Sequence, residues 1–401
     1  MTAHQLHLGD LFRSRREPGK AELPVTSVTM YGGLVQRDTL DRKSNGNLTP
    51  EEHLLIRKGD IAYNMMRMWQ GASGLAETEG IVSPAYVVVA PKDGIEPLFA
   101  SYWFKSARMI HLFWAYSYGI TGDRLRLYYK DFARIPVNVP PKPVQERVGK
   151  ILSTTDRAIA GVEKLIAAKR TLKKGLAQQL LTGQRRLPGF NKPWKKTTLS
   201  SFGKCIRGVT YKAPDDLLPQ DTDATIRLLR AGNIAGGQVI HTDLQFVRAE
   251  KVQQSQILQV HDLAICMSSG SKALVGKAAS YSPVNGHRYT VGAFCSIFRP
   301  KRGDATTLVP HVFDSEAYRR WIHVLTAGSS INNLTGKDIE AFALPLPDEL
   351  REQTRIAAVL GTADREIVVL EKKLAALREL KKGLMQKLLS GTGYTTKKGN
   401  L

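Results

Sequence analysis

One stretch of this chain occurs twice, and that repeat constrains the fold more than any other feature. It opens at Gln145-Glu146-Arg147 and runs through Leu152, Thr154, Asp156-Arg157, Ile159, Glu163-Lys164, Ala167-Ala168, Lys173-Lys174-Gly175-Leu176 and Leu180-Leu181 to Gly183. The same residues return in order from Gln353 through Leu360, Thr362, Asp364-Arg365, Ile367, Glu371-Lys372, Ala375-Ala376, Lys381-Lys382-Gly383-Leu384 and Leu388-Leu389 to Gly391. The offset is constant (353 − 145 = 208, 391 − 183 = 208), no gap is needed, and about half the aligned positions are identical. A period this long excludes a solenoid and implies two copies of a globular unit plus helix.

Both copies are helical by periodicity. Leu360, Ile367, Leu374 and Leu388 share one heptad position and Ile356, Ala363, Leu370, Leu377 and Leu384 the other, with Leu152, Ile159, Ile166, Leu180 and Val148, Val162, Leu176 repeating the pattern in the first copy. Lys173 and Lys381 interrupt the same position in each. Pro143 suits a first helical turn, and Gly183 and Gly391 suit C-terminal caps. Each helix then spans about 40 residues, on the order of 60 Å, and an apolar seam of that length needs a partner helix. The candidate partner-binding residues are Leu152, Ile159, Ile166 and Leu176 in one copy and Leu360, Ile367, Leu374 and Leu384 in the other. Each helix could zip onto another protein. The favoured partner is the other copy, since two matched seams in one chain meet at high effective concentration. The expected fold class is therefore α+β: two globular domains joined by two long helices in an antiparallel coiled coil, an internal repeat with pseudo-two-fold symmetry. The expected boundaries are 1–141 and 194–347 for the globular domains and 142–183 and 348–391 for the helices. A basic linker covers 184–193 and a basic tail 392–401.

The charge narrows the partner. Lys and Arg number 58 against 36 Asp and Glu, a formal net charge of +22, which points to a polyanion and first to nucleic acid. No apolar run approaches the roughly 18 residues that would cross a membrane, and Met1 to Asp10 has no signal-peptide character. Cys205, Cys266 and Cys295 are odd in number and widely spaced, as reduced cytoplasmic thiols would be.

The globular units echo each other with little identity. Leu23 to Thr29 reads as extended, Asn45-Gly46 as a tight turn, Arg57 to Asn64 as turn into strand and Gly80 to Val89 as one buried strand bounded by Pro91. Phe99, Tyr102, Trp103, Met109 and Phe113 have helical spacing, and Ile135 to Pro141 is extended. In the second unit, His261-Asp262-Leu263-Ala264 answers Gly59-Asp60-Ile61-Ala62, Phe298 to Gly303 answers Val89 to Gly94, and Lys337-Asp338 answers Lys130-Asp131. Trp194 and Leu199 open that unit. Two units that share a fold but not surface residues should bind two different targets of one class.

Catalytic chemistry has no visible centre. Gly270-Ser271-Lys272-Ala273-Leu274-Val275-Gly276-Lys277-Ala278 fails as a phosphate-binding loop: five residues separate its glycines, and Ala278 replaces the metal-binding hydroxyl. Nothing resembles HExxH or a Cys/His cluster, so no metal site is expected. Pro214-Asp215-Asp216 and Pro347-Asp348 suit turns and helix starts better than a nuclease carboxylate pattern. What remains is basic loops with polar and aromatic neighbours, of the residue types that reach phosphates and base edges. The candidate DNA-binding residues are Asn64, Arg67, Arg124 and Arg126 in the first unit. In the second they are Arg230, Asn233, Ser269, Lys272, Lys277 and Asn333. Asn64 and Asn333 could equally serve hydrogen-bonding turns.

With these residues in place the chain resembles the DNA-specificity subunit of a Type I restriction-modification system over nearly its whole length. The resemblance rests on the repeat, on Leu180-Leu181-Thr182-Gly183-Gln184-Arg185-Arg186-Leu187-Pro188-Gly189-Phe190 followed by Trp194, on Val139-Pro140-Pro141 before Gln145-Glu146, and on Gly232-Asn233-Ile234. The second helix approach departs from the first, reading Leu346-Pro347-Asp348-Glu349. The resemblance implies two target-recognition domains, each reading one half of a bipartite, asymmetric site in double-stranded DNA, and helices that act as a spacer. It implies two docked adenine methyltransferase subunits, with motor-nuclease subunits joining for cleavage. S-adenosylmethionine, and ATP and magnesium for restriction, would be bound by those partners, and this chain would be non-catalytic. A single-chain methyltransferase or nuclease with an unrecognised motif is the alternative, and a structural coiled-coil scaffold a third.

Overall fold

The computed structural model describes residues 6–30, 32–39, 48–284, 286–301, 304–327 and 333–390. The expected turn at Asn45-Gly46, Arg302-Gly303, Gly391 and the tail 392–401 lie outside the described residues. By compactness the chain divides into a first unit, residues 1–164 with 371–401, and a second unit, residues 165–370. The long helices run Lys142–Leu181 (helix one) and Leu350–Leu389 (helix two), so each contributes a segment to each unit.

In the first unit an antiparallel sheet orders Phe12–Arg15, Tyr86–Pro91, Ile61–Asn64 and Ser73–Leu75. A second sheet orders Gly33–Gln36, Val25–Thr29, Gly80–Val82 and Leu54–Ile56, with its central pair parallel. Strand alternation sends Ile61, Tyr63 and Val89 into one core and Ala62 and Val88 into another. The first core is closed by the helices Pro97–Trp103, Ala107–Ala115 and Tyr129–Ala133, and by Val148 and Leu152 of helix one and Leu389 of helix two. Gly80 to Val89 is thus two strands in different sheets. Ser83-Pro84-Ala85 forms a turn, closed by the Tyr86 N–H donating to Ser83 O at 2.9 Å, because proline cannot donate within a ladder. The helical spacing from Phe99 to Phe113 likewise covers two helices, the second started by the Ser106 hydroxyl, which accepts from Met109 N.

The second unit repeats this plan. Gly203–Arg207, Cys295–Pro300, Leu263–Cys266 and Ala278–Ser280 take the same order, and Thr225–Leu229 lies parallel to Tyr289–Val291 in the companion sheet. Registers coincide: Phe12 faces Pro91 as Gly203 faces Pro300, and Ile61 faces Val89 as Leu263 faces Phe298. The opening leucines match as well, with Leu8 N donating to Ile135 O and Leu199 N to Phe342 O. Gly59 (φ 91°) and His261 (φ 72°) both occupy left-handed backbone just before a buried aspartate. That conformation is ordinary for glycine and costly for histidine. Asp60 then meets Arg15 from the edge strand two places away, Nε to Oδ2 at 2.7 Å. Asp262 meets Arg299 from the adjacent central strand, Nη2 to Oδ2 at 2.6 Å. The carboxylate was kept and the arginine supplied from a different strand.

The repeated residues anchor the helices. Gln145, 1% exposed, donates to Pro140 O at 2.8 Å and accepts from Glu96 N at 2.8 Å, and Gln353 donates to Pro347 O at 2.7 Å. Each stitches the start of its helix to the segment that leads into it. Lys173 and Lys381, the two interruptions of the seam, find carboxylates on the other helix: Lys381 to Asp156 at 2.6 Å in the first unit, Lys173 to Asp364 at 2.7 Å in the second. Asp156 also accepts from Tyr102 Oη at 2.7 Å. Charged pairs at seam positions set register and orientation, and within each unit the two segments run antiparallel. In the second unit Gly183 (φ 73°) lies against Trp194, where a Cβ would come within 3.3 Å of the ring. Arg186 chelates the buried Glu352 through Nε at 2.9 Å and Nη2 at 2.6 Å, and Trp194 Nε1 donates to the same carboxylate at 3.3 Å. The basic linker is therefore a folded clasp.

Candidate nucleic-acid interface

Candidate residues of the basic loops fall together in two clusters, at the same place in each unit. In the first unit the turn after strand Ile61–Asn64 meets the segment before helix Tyr129–Ala133, with Leu127 N donating to Met65 O at 2.9 Å. In the second, the turn after Leu263–Cys266 meets the segment before Gly336–Glu340, with Leu334 N donating to Met267 O at 2.9 Å and Ser268 bridging Asn333. The first cluster thus joins Asn64 and Arg67 to Arg124 and Arg126, and the second joins Ser269 and Lys272 to Asn333.

Their side chains divide by task. The Asn64 Oδ1 accepts from Met66 N at 3.0 Å, so the asparagine shapes the turn. Arg67, Arg124 and Arg126 are exposed. Arg67 Nη1 donates to Gln70 Oε1 at 3.1 Å, and its charge helps the Thr121 and backbone hydrogen bonds hold the Asp123 carboxyl below its usual range. Tyr118, Ile120 and Met66 stand exposed beside these cations, Ile120 completely. In the second unit Ser269 Oγ accepts from Ser271 N at 3.2 Å, while the Lys272, Lys277 and Asn333 side chains face solvent. Arg319 donates to Val275 O at 2.9 Å and to Ala273 O at 3.3 Å, tying the loop to helix Glu316–Ala327. Ser329 to Asn332 lie outside the described residues.

The loop that carries Arg230 and Asn233 is structural. Asn233 is 4% exposed, accepts from Arg230 N at 2.9 Å and donates to Ile240 O and Thr242 O at 3.0 and 2.8 Å, leaving no amide group for a base. Arg230 is ion-paired with Asp243 at 2.7 Å and Arg227 with Asp221 at 2.8 Å. Of the seam residues, Leu152 and Leu360 are fully covered and Ile166 and Ile367 nearly so, with Leu152 packed in a core of the first unit and Leu360 in one of the second. Ile159, Leu176, Leu374 and Leu384 are half-buried along the same seam. Periodicity finds a covered face without telling what covers it.

Burial pushes the thiols of Cys205 and Cys295 up to about 12 and raises that of Cys266, which suits inert side chains rather than nucleophiles. Among the described residues no group of His, Cys, Asp and Glu could hold a metal ion, and no helix is long and apolar enough to cross a membrane.

Residues 191–379 match the family model described as Type I restriction modification DNA specificity domain. The chain is 34% identical over 199 residues to the Type I restriction enzyme EcoKI specificity subunit of Escherichia coli strain K12, covering 49% of this chain and 42% of that relative. It thus spans less than half the length of that curated protein. A longer match, 22% identical over 355 residues, covers 85% of the chain and 80% of the MjaVIII specificity subunit of Methanocaldococcus jannaschii. Among solved structures, the Type-I restriction-modification S subunit from M. genitalium has a TM-score of 0.59 at 16% identity, covering 96% of this chain and 95% of that one. That likeness shows a shared α+β fold.

Proposed function

We propose that this chain, whose residues 191–379 match the family model of the Type I restriction modification DNA specificity domain, is the non-catalytic specificity subunit of such a system. It binds double-stranded DNA at a bipartite, asymmetric site, with 1–141 and 194–347 as target-recognition domains that each read one half. The helices form an antiparallel coiled coil with pseudo-two-fold symmetry that spaces the domains. The observation that carries this reading is the pair of loop clusters, equivalent in backbone position and different in side chain. Shared scaffold with divergent contacts is what two half-sites of different sequence require.

Two methyltransferase subunits dock, and motor-nuclease subunits join where the system cleaves DNA. S-adenosylmethionine, ATP and magnesium belong to those partners. The surfaces that support double docking lie outside the seam. Ile151 and Val359, related by the repeat, are each 37% exposed, and Leu172 and Leu380 are 54% and 53% exposed. Ile151 and Leu380 belong to the first unit, Leu172 and Val359 to the second, so each unit offers one such apolar pair. The complex works in the cytoplasm, where its DNA lies.

The test incubates the pure chain with duplex DNA and labelled S-adenosylmethionine, alone and with methyltransferase subunits. Alone it should bind duplex without transferring methyl groups, and native mass should saturate at two methyltransferases per chain. Transfer by the pure chain would establish the single-chain enzyme instead, and saturation at one subunit would remove the double-docking claim.

A further inference from the structure

Phe294 is 70% exposed at the tip of a turn beside the second loop cluster. Nothing about the turn is loose. The Cys295 N–H donates to Gly292 O at 2.8 Å, and Phe294 O accepts from both Met267 N at 2.8 Å and Ser268 N at 3.1 Å. Gly208 packs so closely beneath that a Cβ there would collide with Gly292 O. A large apolar ring is therefore held in water by a rigid backbone, at the cost of leaving its area unburied.

The surroundings identify what the ring meets. A protein-docking patch would gather further exposed apolar side chains, but here the neighbours are Ser268, Ser269, Ser271 and the exposed Lys272 and Lys277, with no acidic residue from 268 to 277. Among the described residues Lys272 has no ion-pair partner. Hydroxyls, cations and one rigid aromatic ring suit a polyanion that carries stacked apolar surfaces inside it. Phenylalanine wedges of this kind enter between base pairs and partly unstack them. The first unit carries Ala85 at the corresponding turn position, after Ser83 and before Tyr86.

Resting on the DNA-binding reading above, we propose that Phe294 is an apolar wedge that inserts at a base step of the half-site held by the second unit. The Ser268 to Lys272 loop and Asn333 grip the backbone and bases around it. Ala85, at that position in the first unit, cannot act this way, so this wedge belongs to the second unit's half-site.

The experiment first selects duplexes bound by the full chain from a random pool, then places 2-aminopurine at successive positions of the selected site. Wild type should raise emission at one step of the half-site held by the second unit. Phe294→Ala should abolish that rise and weaken binding at least about tenfold, with the salt dependence unchanged because no charge is lost. Phe294→Leu should retain part of both effects, and equal thermal melts would show that folding is intact. Lys272→Ala should instead lower the salt slope by about one unit. Selection by wild type with unchanged affinity and emission in Phe294→Ala would overturn the wedge while leaving the DNA reading intact. So would a defect confined to methyltransferase association. Failure of wild type to select any sequence would overturn both.

Discussion

Four residues added to both long helices, after Lys164 in helix one and after Leu370 in helix two, are expected to lengthen the gap between half-sites by one or two base pairs and leave the half-sites unchanged. Four residues add about 6 Å of helix, close to two base pairs at roughly 3.4 Å each, and nearly complete one turn, so the seam keeps its phase. The insertion points are where the two compact units divide. Asp156–Lys381 and Glu163–Arg378 stay within the first unit, and Lys169–Glu366 and Lys173–Asp364 within the second. A single insertion after Ala167 would instead pull Lys169 and Lys173 away from Glu366 and Asp364 and should cost activity. The added base pairs also rotate one half-site about the duplex, so the paired variant should bind more weakly than wild type. Methylated adenines mapped with the assembled complex give the readout. An active paired variant with an unaltered gap would mean that the helices do not set the spacing.

Arg299→Leu is expected to destabilise the second unit by about 3–5 kcal/mol, the cost of stranding a buried carboxylate. Asp262 is 1% exposed and takes Arg299 Nε at 3.0 Å and Nη2 at 2.6 Å, and the same guanidinium donates to Ser255 O and Ile257 O. Arg299→Leu combined with Asp262→Leu should recover a large part of the loss, because the uncompensated charge is gone. Urea unfolding of the wild type and the two variants measures it. A single-variant loss below about 1 kcal/mol would show that water or another side chain reaches Asp262.

The helices were the most legible part of the sequence. An apolar seam, a proline near one end and a glycine near the other are local signals, and the observed helix one, Lys142–Leu181, carries Pro143 in its first turn and Gly183 just beyond its end. The two seam lysines were visible as interruptions, but their meaning needed the facing Asp156 and Asp364, whose pairing depends on the antiparallel fold. Loop chemistry was half legible. Composition selected Arg67 and Lys272, yet it also selected Asn233, since an asparagine that closes a turn and one that reads a base look alike in sequence. Phe294 escaped notice because Val291-Gly292-Ala293-Phe294-Cys295 reads as an apolar strand. Only the turn at Gly292 turns the ring out, and the glycine pair Gly208 and Gly292 was the available clue. Ser83-Pro84 hid a similar turn inside the apolar run from Gly80 to Val89, where the proline was the signal.

The central claim is that each globular unit reads one half of a split site. Its most direct test replaces residues 1–140 with the equivalent segment of a relative of different specificity and maps methylated adenines with the assembled complex. The account predicts that one half of the recognised sequence changes, while the other half and the gap stay as they were. A change in both halves, or in neither, would contradict it.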